Sequence, residues 1–168
     1  MPTIWNKEKN VFLSIDLLNN AKVDIQVDRP DFMNWVPFKF TLDLYNETYY
    51  LPINEYSPTF NVWEIEKIIN GLEEIIYAMN TNTLDNPNED RFKPFEHFCS
   101  EVYFEIKVFE TLETDLINIE IWLTMAEFTN GDISDYNKGF RFIVHLKVLE
   151  EFLNGLKKQY KLIRNEHI

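Results

Sequence analysis

A five-residue phrase occurs twice in this chain, half a chain length apart. Ile68-Ile69-Asn70-Gly71-Leu72 returns as Phe152-Leu153-Asn154-Gly155-Leu156, and upstream Ile65-Glu66 aligns with Leu149-Glu150. Each copy lies in helix-patterned sequence that follows strand-patterned sequence. A recurring period of this kind constrains architecture first. It predicts two pseudo-repeated strands-then-helix halves, about 1–84 and 85–168, within one domain. A glycine inside a helix costs about 1 kcal/mol relative to alanine. Two glycines at matched helical positions therefore point to close packing of each helix backbone against a neighbouring element.

The strand-patterned stretches alternate with a period of two. Val11, Leu13, Ile15 and Leu17 share one face, and Val23, Ile25 and Val27 resume the pattern after an Asn19-Asn20 turn. Phe38, Phe40, Leu42 and Leu44 form a third strand, with Tyr49-Tyr50-Leu51 as a short fourth. In the second half, Phe92 to Phe98 reads as an edge strand because of Pro94. Val102, Phe104, Ile106 and Val108 then alternate, followed by Ile117, Ile119, Ile121 and Leu123, and by Phe140, Phe142, Val144 and Leu146. Clean alternation means antiparallel sheet with one wetter face. The fold class is thus α+β, mainly antiparallel sheet with two helices, one mid-chain and one C-terminal.

Both helices have a readable apolar face. Val62, Ile65, Ile68, Ile69, Leu72, Ile75, Ile76 and Met79 recur at helical spacing after Asn61, with Glu64 placed to complete a capping box. Leu149, Phe152, Leu153, Leu156, Tyr160 and Ile163 do the same at the C-terminus. Asn80 to Asp90 reads as the connection between the halves.

The totals exclude several function classes. A 168-residue chain can bury roughly 70% of its unfolded surface. A net charge of −12 repels phosphates and anionic membranes, so neither nucleic acid nor a membrane is an expected partner. No run of sequence approaches a membrane span or a signal peptide, and the single cysteine, Cys99, forms no internal disulfide. The expected location is cytoplasmic.

The charge is concentrated. Residues 101–135 hold nine acids and one base, Lys107. On the outward positions of the 101–125 hairpin, Glu101, Tyr103 and Glu105 stand beside Glu120 and Trp122, with Asp132 and Asp135 in the loop beyond. Aromatic side chains dominate binding hot spots and carboxylates steer a basic partner towards them. These seven residues are the candidate partner-binding set.

Chemistry is thinner. There is no phosphate-binding glycine loop, dinucleotide fingerprint or nucleophile elbow. His97, Cys99 and Glu101 fall on one side of an extended segment and offer the one enzymatic alternative, but their spacing matches no common zinc pattern. No metal or cofactor is expected. A general binding or scaffold module is the remaining alternative.

At the closing segment, Tyr136-Asn137-Lys138-Gly139-Phe140-Arg141-Phe142-Ile143-Val144 followed by Leu149-Glu150-Glu151-Phe152-Leu153-Asn154-Gly155-Leu156 resembles the end of WapI-type immunity proteins. Ile65 to Ile76 is similar to that family's first helix, and Val102 to Val108 and Ile119 to Leu123 to its middle strands. The resemblance spans about residues 38–160. It implies a small cytoplasmic bacterial protein that neutralises the toxic domain of a polymorphic toxin by binding it, with neither catalysis nor cofactor. Such toxin domains are commonly nucleases and often basic, which suits an acidic partner.

Overall fold

A computed structural model describes residues 1–51, 57–81, 91–111 and 113–167. The strands form two antiparallel sheets. The first contains β1 (Thr3–Trp5), β2 (Phe12–Leu17), β3 (Trp35–Asp43) and β4 (Thr48–Tyr50) in that order, with β5 (Thr59–Asn61) also paired to β3. The helix α1 (Val62–Thr81) follows. The second sheet is a meander of β6 (Phe95–Phe98), β7 (Phe104–Glu110), β8 (Leu116–Thr124) and β9 (Asn137–His145), interrupted by the single-turn α2 (Met125–Phe128) and closed by α3 (Leu146–His167). The strands-then-helix order of each half is as the repeated phrase predicts.

The helices cross over between the sheets. α1 packs on β5 and on β6 of the second sheet, while α3 packs on β1 and β2 of the first sheet as well as on β9, and the two helices touch each other. One cluster of buried side chains runs through both halves. Aromatic rings form the seam between the sheets: Phe40 stacks on Phe104 at 4.7 Å between centroids, Tyr49 meets Phe140 at 5.5 Å, and Phe60, itself stacked on Phe38 within the first sheet, turns its ring edge-on to Phe104 at 6.0 Å. Such pairs add about 0.5–1.5 kcal/mol each beyond the apolar area they bury.

The two repeated glycines have different neighbours. The Phe95 ring of β6 lies directly over Gly71, in the space a Cβ would need, whereas Gly155 faces Pro2, whose Cγ would stand 3.3 Å from an added Cβ. Gly71→Ala should destabilise by about 1–3 kcal/mol through overpacking, because Phe95 has to leave its place between sheet and helix. Gly155→Ala should be neutral or stabilising by up to about 1 kcal/mol, since helix propensity improves and the chain near Pro2 can shift. Urea unfolding of both variants checks the contrast, and equal effects would show that packing on Phe95 does not set the Gly71 requirement.

The Val23–Val27 strand is a correction. Val27 is exposed, and the segment makes only an isolated bridge from Asp24 to Trp35. Local side-chain bonds bend it instead: Arg29 Nη2 donates to Asp24 Oδ1 at 2.6 Å, and Asn34 Oδ1 accepts the Gln26 N–H at 2.9 Å. Short polar side chains that satisfy nearby backbone in this way compete with a ladder. Val102 is a second correction. Its φ of 59° places it in a turn with an exposed side chain, so β7 begins at Phe104.

Candidate functional site

The outward face of the second sheet reads as three rows across the strands. Phe98, Glu105, Trp122 and Gly139 are paired in one row; Glu96, Lys107, Glu120 and Arg141 in the next; Phe109, Asn118 and Ile143 in the third. Phe98 is 64% exposed and Trp122 39%. Large aromatics left open on the face of a sheet mark an interaction surface more often than scattered single apolar residues do.

Trp122 is held firmly. Its ring lies across Gly139, where any Cβ would clash with it, and its Nε1 donates to Glu120 Oε1 at 2.7 Å. The other Glu120 oxygen accepts from Arg141 Nε at 2.9 Å and Nη2 at 2.5 Å, and the Arg141 guanidinium sits 4.8 Å over the Phe109 ring. The Trp122 indole donor, and after it Arg141, hold the Glu120 carboxyl below its usual range. Glu120 therefore stays ionised while its negative charge is answered locally. Glu105 is paired with Lys107 at 3.0 Å, and Lys107 also approaches Glu96 at 3.5 Å. Among these row residues, three carboxylates face two cations, so the flat of the face is nearly neutral.

The acidity of residues 101–135 is distributed over three places. Glu110, Glu113 and Asp115 lie at the β7–β8 turn. There Glu110 pairs with the buried Arg91, Glu113 reaches Lys7 at 3.8 Å and Asp115 reaches His145 at 3.3 Å. Glu105 and Glu120 occupy the face. The remaining acids gather at the opposite end of the sheet. Glu101 and Tyr103 sit in the turn before β7, where the Tyr103 hydroxyl donates to Glu101 Oε2 at 2.5 Å. Beside them the Thr124 N–H donates to the Tyr103 carbonyl, and the excursion 125–136, carrying Glu127, Asp132 and Asp135, begins and ends there. Among the described residues Glu101, Glu127, Asp132 and Asp135 have no cation partner. Of the seven candidate residues, Glu105, Glu120 and Trp122 thus share the face. Glu101, Tyr103, Asp132 and Asp135 cap its end. Tyr103 is half-buried with its ring edge against Phe38, and burial, then the Glu101 contact, raise its hydroxyl above the ordinary range.

Sequence reasoning passed over Phe98, Phe109 and Ile143. The signal for Phe98 was present: in Phe95-Glu96-His97-Phe98 the residues alternate, so an inward His97 requires an outward Phe98.

The His97, Cys99 and Glu101 grouping is not assembled. His97 and Cys99 are buried under α1, whereas Glu101 is exposed in the turn. Burial pushes His97 down to about 4, helped by Lys67, and pushes the Cys99 thiol up to about 12, helped by Glu64. A nucleophilic pair needs the opposite shifts, a thiolate beside a protonated imidazole. Among the described residues no group of three or more His, Cys, Asp or Glu is placed to hold a metal. Native protein should leave Cys99 unmodified by a thiol reagent at pH 8 over minutes, with rapid reaction once guanidinium unfolds the chain. Rapid labelling of the folded protein would contradict the burial of this thiol.

What occupies the space beside them is structural. Glu64, buried at the start of α1, accepts the Asn61 N–H at 3.0 Å, the Ser100 N–H at 2.6 Å and the Ser100 hydroxyl at 2.7 Å, while Asn61 Oδ1 accepts the Glu64 N–H at 2.8 Å. The capping box anticipated from Asn61 and Glu64 therefore also fastens the turn that leads into β7.

No curated protein matches the chain. Two solved structures of similar course are "Structure of the plant transcriptional regulator PBF-2", at 10% identity and TM-score 0.42, and "Crystal Structure of WHY3 from Arabidopsis thaliana", at 10% identity and TM-score 0.40. The alignments cover 98% and 96% of this chain and 82% and 86% of those chains. The family model for immunity protein WapI-like proteins matches residues 3–163, taking in the N-terminal strands that the sequence resemblance left out. With that match running nearly from end to end, the chain belongs to the immunity protein WapI-like family.

Proposed function

We propose that this protein is an immunity protein that binds a cognate toxin domain and blocks it by occlusion, in the cytoplasm and without catalysis or cofactor. Family membership supports immunity and a protein partner. The observation that supports the face is the row Phe98, Glu105, Trp122, in which two exposed aromatics flank a carboxylate and Trp122 is fixed before any partner arrives. A side chain already held in place loses little entropy on binding. The acidic end formed by Glu101, Tyr103, Asp132 and Asp135 supplies a long-range attraction for a basic toxin domain, with the aromatic row providing the contact.

Coexpression with toxin domains cloned from the genes adjoining this one tests the reading. Wild-type protein should protect the cells. Charge reversal at Glu105 and Glu120 should slow association by about tenfold at low salt and weaken protection. Protection and association unchanged by both reversals would remove these carboxylates from the interface.

A further inference from the structure

A groove of about 680 Å³ lies between β1 and the C-terminal half of α3, and it shares no residue with the face proposed for the toxin. Pro2, Trp5, Gly155 and Leu162 give it an apolar floor, and Lys158 and Lys161 stand on its rim. Two other cations of α3 are engaged, Lys157 with Glu73 and Arg164 with Asp31. Among the described residues Lys158 and Lys161 have no ion-pair partner. Glu151 is the one acid in the lining, so on a chain of net charge −12 this groove is an apolar exception with a small cationic excess.

Its complement is present in the same molecule. The loop after α2 runs Asp132-Ile133-Ser134-Asp135-Tyr136, with Ile133 and Tyr136 exposed and both aspartates free of cations among the described residues. It is a braced loop. The Gly131 N–H donates to the Ala126 carbonyl at 2.9 Å, the Asp132 N–H to the Thr129 carbonyl at 3.1 Å, the Ile133 N–H to Thr129 Oγ1 at 3.1 Å, and the Met125 N–H to the Tyr136 carbonyl at 3.0 Å. Nothing stands within 4 Å of the place a Cβ would take on Gly131, so the tip projects into open space. Two aspartates and two apolar side chains on a preorganised loop match two lysines and an apolar floor. In the monomer the loop is exposed and the groove is open, so the match can be satisfied only between molecules.

We propose that the acidic loop 132–136 of one copy docks in the β1–α3 groove of a second copy. Each molecule then uses its loop once and its groove once. Such a head-to-tail contact does not close on itself in a pair and builds chains or rings. Attraction between exposed charges makes the association stronger at low ionic strength. The proposal does not depend on the immunity reading, and its test contains no toxin.

Sedimentation velocity on the intact protein provides that test. Between about 5 and about 500 µM at about 20 mM salt, the average mass should rise severalfold above the 20.2 kDa monomer. About 500 mM salt should return it to monomer. The double variants K158E/K161E and D132K/D135K should each be monomeric alone and melt like wild type. Mixed in equal amounts they should assemble again, because the acidic groove accepts the basic loop and the unaltered loop accepts the unaltered groove. A wild-type monomer at every concentration would overturn the proposal. So would assembly that survives either double variant alone, or a mixture that stays monomeric.

Discussion

Glu64→Ala is expected to cost about 2–4 kcal/mol of stability, a large loss for a single substitution. The carboxylate is buried and accepts from Asn61 N–H, Ser100 N–H and Ser100 Oγ. Alanine leaves the buried Asn61 N–H without an acceptor, at about 1–3 kcal/mol, and removes the bonds to the part-buried Ser100 N–H and hydroxyl, at about 0.5–1.5 kcal/mol. For a chain of this size the midpoint of thermal unfolding should fall by roughly 10 °C. Glu64→Gln retains one acceptor oxygen and should lose less. Calorimetry of the three proteins measures the series. A loss below about 1 kcal/mol for alanine would mean that water replaces the carboxylate, contrary to its burial.

His97 should make stability fall on acidification across a defined window. The ring is buried beneath α1, with Glu64 Oε1 3.6 Å from Nε2, too far for a hydrogen bond, and with Lys67 acting against its protonation. Neither ring nitrogen has a hydrogen-bond partner. Its pKa is depressed in the folded state to about 4 from 6.5, so between those values the unfolded chain binds the proton more readily. Stability is therefore fully present above about pH 6.5, declines as pH falls towards 4, and loses about 3 kcal/mol in all from this group. His97→Leu should flatten that part of the profile, leaving the contribution of the carboxylates. Urea unfolding at pH 7, 5.5 and 4.5 checks this. If stability of wild type rose on acidification relative to the variant, the imidazolium would be pairing with Glu64, and burial would not be the dominant influence on the ring.

These two residues show how much was readable in advance. Asn61 and Glu64 announced a helix start, because a capping box is local and its partners are three residues apart. That Glu64 also holds Ser100 is a contact between residues 36 apart in sequence, and no local pattern encodes it. The alternation of Phe38 to Leu44 and of Ile117 to Leu123 located strands correctly, because one face of each is buried in a continuous cluster. Alternation misled at Val23–Val27, where the Arg29–Asp24 and Asn34–Gln26 bonds outcompete pairing. β1 and β5, each three residues long, are too short to show a period.

The candidate face was legible in part for the same reason. Alternation placed Glu105, Glu120 and Trp122 outward, but charge counted along the chain did not become charge on that face. Arg91 draws Glu110 inward from before β6, and Arg141 and Lys107 answer Glu120 and Glu105. What remains exposed in the row beside them is aromatic, and the uncompensated acids stand at the end of the sheet.

The most direct measurement of the central claim is the affinity of the Trp122→Ala protein for its cognate toxin domain, sought among the genes adjoining this one, by titration calorimetry against wild type. Trp122 is rigid, exposed and central to the proposed contact, so its removal should weaken binding by about thirtyfold or more, the effect of a hot spot of at least about 2 kcal/mol. Phe98→Ala should act in the same direction. Unchanged affinity in Trp122→Ala, with its thermal stability retained, would contradict the claim that this face meets the toxin.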